Sequence, residues 1–273
     1  MMKWEEFSAQ LRETGEYETP SNFQPPVIDR MLGRFDWRYH SLITYCLWSC
    51  GSLAKRGVLD DAAWAAKCLD VIHAVERCGN AVTISIPQST RECTPCVYAS
   101  NHMSVLETII LPAVLVPFGH PTFVVKTDLL KYPALRQVLR TVDPITVTRD
   151  NPREDFKRVL KHGKESLERG RSVLIFPQST RDPVFDPSSF NSLAVKLAAR
   201  SNVPVVPLAL KTDFSGIGPI VKEFGRLDRA KPVNFRFGTP LDACKDPKKA
   251  HADVLTFIGN AIREWGGTVL SGE

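Results

Sequence analysis

The chain has 273 residues, of which 43% are hydrophobic and 24% charged, and it carries a formal net charge of +5. That balance suits a large buried core and excludes a disordered or fibrous chain. The positive excess is small and no nucleic-acid motif accompanies it, which argues against a nucleic-acid partner.

Residues 1–26 are polar and close on Pro20, Pro25 and Pro26. They predict a short helix over Lys3 to Arg12 and then an irregular arm. Glu5, Glu6, Glu13 and Glu16 argue against a signal peptide. Val27 to about Arg56 reads as one helix, with Arg30, Arg34 and Arg38 on one face and Ile28, Met31, Leu32, Phe35 and Tyr39 gathered elsewhere. A second helix, capped by Asp60 and Asp61, runs to about Cys78, so the pair predicts an αα hairpin. A basic, aromatic helix suits a membrane surface; the same pattern suits packing on a partner helix. No apolar run reaches the roughly 18 residues of a membrane-spanning helix.

From residue 81 the pattern alternates. Strand-like runs are Val82–Ile86, Val97–Ser100, Thr122–Lys126, Ile145–Thr148, Val173–Phe176, Val205–Leu210 and Val233–Phe237. Helix-like runs are Ser104–Leu115, Asp128–Thr141, Arg153–Arg169, Ser189–Arg200 and Ala250–Trp265. Alternation of this kind predicts an α/β fold with a largely parallel central sheet flanked by helices. The expected division is an arm and a two-helix membrane-surface hairpin over 1–80, then the α/β domain over 81–273.

Two motifs carry chemistry. Asn-His-Met-Ser-Val-Leu-Glu, residues 101–107, places His102 five residues before Glu107 after one strand. Phe-Pro-Gln-Ser-Thr-Arg, residues 176–181, follows another. A neutral imidazole takes a proton from a hydroxyl near neutral pH, and a carboxylate on its other nitrogen fixes the tautomer. A guanidinium and backbone N–H groups bind phosphate. The pairing is what acyl transfer to a phosphate-bearing alcohol requires, with the substrate's own alcohol as nucleophile. Glu107 has a second reading: Ser104 and Glu107 also fit a capping box. Ligands of parallel sheets bind beyond the carboxyl ends of the strands, where Lys126, Arg149 and Arg181 also fall.

The two motifs resemble those of the glycerolipid acyltransferase superfamily, which includes 1-acylglycerol-3-phosphate acyltransferases. Its members carry Asn-His-x-Ser-x-x-Asp and Phe-Pro-Glu-Gly-Thr-Arg. Lys126 to Leu130 and Pro144 to Arg149 resemble the basic motif between them, and Val203-Pro-Val-Val-Pro207 resembles a fourth. Here Glu107 stands for the aspartate, and Gln178 and Ser179 for the glutamate and glycine. The resemblance implies that His102 is the general base and Glu107 its orienting partner. It implies that Thr180, Arg181, Arg149 and Lys126 bind the acceptor phosphate, with Gln178 and Ser179 shaping the pocket. The implied reaction moves a fatty acyl group from acyl-CoA or acyl-carrier protein to 1-acylglycerol 3-phosphate, giving phosphatidic acid. It needs no metal or other cofactor. Glycerol 3-phosphate or another lysolipid is the alternative acceptor, and a non-catalytic lipid-binding member is the alternative from another class. The implied location is cytoplasmic, peripheral on a membrane face, held by the N-terminal helices.

Residues 126–171 hold 12 Lys and Arg against 7 Asp and Glu, the whole of the net charge. A basic field there favours phosphate head groups, although most of these charges fit a solvated helix. Cys93 and Cys96 have the spacing of a redox or zinc pair, but no second pair accompanies them. The odd count of seven cysteines favours reduced thiols, and Cys46 and Cys50 fit an apolar helix face. Arg91, in a second Pro-Gln-Ser-Thr-Arg at 87–91, is a rival anion binder.

Overall fold

The computed structural model describes residues 1–178, 180–219 and 222–270, apart from the side chains of 133 and 134. The chain opens with α1 (Trp4–Thr14), β1 (Glu16–Glu18), α2 (Val27–Leu32), α3 (Asp36–Lys55) and α4 (Asp61–Arg77). There follow β2 (Val82–Ser85), α5 (Gln88–Arg91), β3 (Val97–Ser100), α6 (Leu106–Leu115), β4 (His120–Lys126), α7 (Pro133–Val142) and β5 (Ile145–Val147). The last elements are α8 (Pro152–Glu168), β6 (Arg171–Ile175), α9 (Leu193–Ser201), β7 (Val205–Lys211), β8 (Val233–Phe237) and α10 (Pro247–Glu264).

Eight strands form one sheet in the order β1-β2-β8-β7-β3-β6-β4-β5. The run β7-β3-β6-β4-β5 is parallel throughout, and the antiparallel pairs are β7 with β8 and β1 with β2. The expected sheet is therefore present, mixed at one side. Every residue of β3 and β7 is buried, as strands covered on both faces require. Because successive side chains point to opposite faces, Tyr98, Val206, Leu208 and Leu210 enter one core and Val97, Ala99, Val205 and Ala209 the other. α4 and α6 supply the first core, and α8, α9 and α10 the second. Pro207 sits inside β7, where it cannot donate, and its carbonyl accepts from Gly238 N–H at 2.8 Å.

The α3–α4 hairpin is present, and it packs on α6 and α7. Three elements differ from expectation. The helix from Val27 is two helices, because Gly33 lies against the C-terminus of α4: a Cβ there would collide with the Asp29 carbonyl and lie 3.0 Å from that of Arg77. The stripe of arginines is thereby broken, and Arg38 turns to the buried Asp29 at 2.7 Å, beside Arg77 at 2.6 Å. The expected helix from Asp128 is a 3-10 turn and then α7, since Pro133 disfavours helix at the residue before it. The irregular arm contains β1, which pairs with β2 and buries Tyr17 against Phe7.

Candidate active site

β3 delivers Asn101 and His102 to the carboxyl edge of the sheet, and three hydrogen bonds fix the turn. Asn101 spans to β7, donating from Nδ2 to the Leu210 carbonyl and accepting from Leu210 N–H, both at 2.8 Å. Ser100 Oγ donates to the Leu208 carbonyl at 2.9 Å. A buried polar residue that continues the backbone ladder in this way locks register.

His102 Nδ1 lies 2.8 Å from Glu107 Oε1. Glu107 is fully buried, and it is an acceptor of several other bonds: Met103 and Ser104 N–H reach Oε1 at 2.7 and 2.8 Å. Ser104 Oγ and Thr212 Oγ1 donate to Oε2 at 2.7 and 2.6 Å. Burial pushes the carboxyl up, but the bonds from His102, Thr212 and Ser104 prevail and hold it below its ordinary range. An ionised carboxylate only accepts, so Nδ1 of His102 carries a proton, and in the neutral imidazole the lone pair is left on Nε2. Among the described residues Nε2 has no partner. The imidazole is stacked on Phe176, with centroids 4.3 Å apart. Glu107 binds the N–H groups of Met103 and Ser104 as well as His102, but the expected capping box is not formed, because the N-cap of α6 is Val105, which makes no side-chain cap bond. The helix itself starts two residues after Ser104.

The loop after β6 meets this turn directly. Gln178 is buried, and its Oε1 accepts His102 N–H at 2.8 Å, while Asp182 N–H donates to the His102 carbonyl at 2.9 Å. Gln178 thus holds the backbone of His102. A neutral amide does so without placing a second negative charge beside Glu107. Thr180 is exposed. Arg181 is mostly covered and pairs with Glu223 at 3.0 Å. Ser179 lies outside the described residues.

Lys126 and Arg149 reach the same edge further along. In the order β3-β6-β4-β5 their strands stand two and three steps from β3, roughly 10 and 15 Å at ordinary strand spacing. Lys126 pairs with Asp128, whose carboxyl Lys126 and then Lys131 push down to about 2. Arg149 has φ +67, a left-handed conformation uncommon outside glycine. Asp155 of α8 imposes it, accepting from Arg149 and Thr148 N–H at 2.6 and 2.9 Å.

Sequence reasoning missed Thr212, Asp155, Asn101 and Glu223. Asn101 is next to the histidine and Asp155 is six residues from Arg149; Thr212 and Glu223 come from segments remote in sequence. Arg91 is turned elsewhere, donating to the carbonyls of Arg12 and Glu13. Cys93 is half-buried and Cys96 buried, and among the described residues no three His, Cys, Asp or Glu converge as a metal site. Burial pushes the thiols of Cys46 and Cys50 up to about 11 and about 12, so both behave as small apolar groups.

Residues 81–211 match the acyltransferase family model. The chain is 36% identical over 115 residues to the 1-acyl-sn-glycerol-3-phosphate acyltransferase of Pseudomonas aeruginosa, covering 42% of this chain and 44% of that one. It is 32% identical over 117 residues to a chloroplastic 1-acyl-sn-glycerol-3-phosphate acyltransferase of Brassica napus, covering 43% and 33%. The matched segment spans less than half the length of these curated relatives. The crystal structure of the 1-acyl-sn-glycerophosphate (LPA) acyltransferase of Thermotoga maritima superposes with a TM-score of 0.63 over 88% of this chain and 97% of that one. At 17% identity this is a likeness of fold. Over residues 81–211, a little under half of its length, the chain is similar to the acyltransferase family.

Proposed function

We propose that the protein transfers a fatty acyl group from an acyl thioester to the free hydroxyl of 1-acylglycerol 3-phosphate, forming phosphatidic acid. The observation that carries this reading is the Nδ1–H bond from His102 to the buried, ionised Glu107 at 2.8 Å, at the sheet edge that also bears Arg181. His102 Nε2 takes the proton of the acceptor hydroxyl as its oxygen attacks the thioester carbonyl. The tetrahedral intermediate collapses, the C–S bond breaks, and the imidazolium returns the proton to the leaving thiolate. Glu107 stabilises that imidazolium without itself becoming protonated. No enzyme acyl intermediate and no metal or other cofactor takes part.

Arg181 and Thr180 hold the acceptor phosphate, with Arg149 and Lys126 at the far side. Phosphate displaces Glu223 from Arg181, since a half-exposed ion pair is weak against a dianion. Gln178 acts through the backbone of His102. The donor is acyl-CoA or acyl-carrier protein. The lipid reaches the site from a membrane surface on the cytoplasmic side. Trp37, Tyr45 and Trp48 of α3 are each more than half exposed, and Phe224 joins them through an edge contact with His40. Among the described residues no helix is long and apolar enough to cross a membrane.

Free-thiol release from palmitoyl-CoA, measured with 1-acylglycerol 3-phosphate in vesicles, tests the reading. Release that depends on the acceptor and vanishes in His102→Ala is expected. Equal release by His102→Ala removes the base. Acyl-carrier-protein thioesters and a panel of acceptors, glycerol 3-phosphate included, then fix donor and acceptor.

A further inference from the structure

We propose that Thr212 is a positioning residue of the site, the member that sets how strongly Glu107 acts on His102; this rests on the reading of His102 as general base. Thr212 directly follows β7 and is fully buried. Its hydroxyl gives its single proton to Glu107 Oε2 at 2.6 Å, and it lies 3.0 Å from Ser104 Oγ, whose own proton goes to the same carboxylate oxygen. Glu107 is reached from its own turn by Met103, Ser104 and His102, all within five residues. Thr212 is the donor that comes from another strand, 105 residues away in sequence. It therefore ties the catalytic turn to the end of β7, as Asn101 and Ser100 tie it further back through Leu210 and Leu208.

The chemistry follows from the sharing of one negative charge. Each donor to Oε2 draws charge from Oε1, the oxygen that faces His102. Without the Thr212 proton more charge stays on Oε1. The imidazolium is then better stabilised, and His102 gives up its proton less readily. The other titratable groups around the pair are Tyr39 of α3 and, just before Thr212 at the end of β7, Lys211 paired with Asp213 at 2.8 Å. Arg181 and Asp182 stand on the facing loop. None of them donates to Glu107.

Thr212→Val keeps the shape and removes the hydroxyl; Thr212→Ser keeps the hydroxyl. In full-length protein, the acid limb of kcat/KM against pH is expected to move upward by about half to one pH unit in Thr212→Val. Turnover near neutral pH then falls several-fold while KM for the acceptor changes little, and Thr212→Ser restores the wild-type profile. A profile for Thr212→Val that superimposes on the wild type, or a Thr212→Ser variant no better than the valine, overturns the proposal. The Nδ1 proton resonance of His102, assigned by its loss in His102→Ala, provides a readout free of turnover. It is expected to shift in Thr212→Val and return in Thr212→Ser. If the wild type transfers no acyl group while that resonance responds so, the function proposed above fails and the role of Thr212 stands. A resonance indifferent to Thr212 sinks the positioning role alone.

Discussion

At the scale of single residues, the site is a problem in keeping a buried charge. A carboxylate removed from water would ordinarily be driven neutral. Glu107 avoids this because donors from the turn, from Ser104 and from Thr212 saturate both oxygens. Its pH consequence has a definite sign. The folded carboxyl lies below the unfolded one, so the unfolded chain binds more protons as pH falls. The stability it contributes is full above the unfolded value of about 4.3 and is lost as pH drops through the lower folded value. Denaturant unfolding between about pH 6 and 3 should therefore show a steeper loss in the wild type than in Glu107→Gln; equal slopes would sink this account. Glu223 offers a second prediction at this scale. Glu223→Gln frees Arg181 of a competing carboxylate and should lower KM for the acceptor by about 2- to 5-fold with kcat unchanged, the range expected of a partly exposed pair. An unchanged KM would mean that Arg181 does not meet the phosphate.

At the scale of elements, the junction of α2 and α3 is tightly constrained. Gly33 presses on the backbone of α4, and its carbonyl accepts from Arg229 Nε and Nη2 at 3.1 and 2.6 Å. Arg229 also bonds Asp36 at 2.9 Å, while His40 Nε2 donates to the Gly225 carbonyl at 3.0 Å. These bonds hold the segment around Arg226 against the start of α3 and so place Glu223 near Arg181. Gly33→Ala inserts a methyl between two carbonyls that cannot move apart cheaply. It should cost about 1–3 kcal/mol, which lowers Tm by roughly 2–4 °C per kcal/mol in a chain of this size. A thermal melt indistinguishable from the wild type would refute the packing argument.

At the scale of the whole molecule, two features lie on one side: the carboxyl edge of the parallel strands and the exposed aromatic residues of α3 with Phe224. Phe224 adjoins Glu223, which pairs with Arg181, so the apolar surface continues to the site. Trp37 and Trp48 are 56% and 63% exposed, far more than large apolar residues that serve a core. Replacing both by Ser should weaken binding to anionic phospholipid vesicles by about 10- to 100-fold, given the burial energy of two partly inserted aromatic rings. Vesicle sedimentation measures this, and unaltered partitioning would separate the aromatic face from the membrane.

The sequence alone determined the alternation of strands and helices and the positions of His102, Glu107 and Arg181 after strand ends. Periodicity and local motifs depend on neighbours within a few residues, and they survive without tertiary context. Beyond the pairing of His102 with Glu107, tertiary structure decided what those residues touch. The break at Gly33 follows from the approach of α4, and the left-handed Arg149 from Asp155 on the next helix. Gln178 turned out to hold the His102 amide, and Thr212 to complete the shell of Glu107. These contacts join segments up to 105 residues apart. No local pattern records such a pairing, because the sheet order that brings β7 beside β3 is fixed only when both faces of the sheet find their cores.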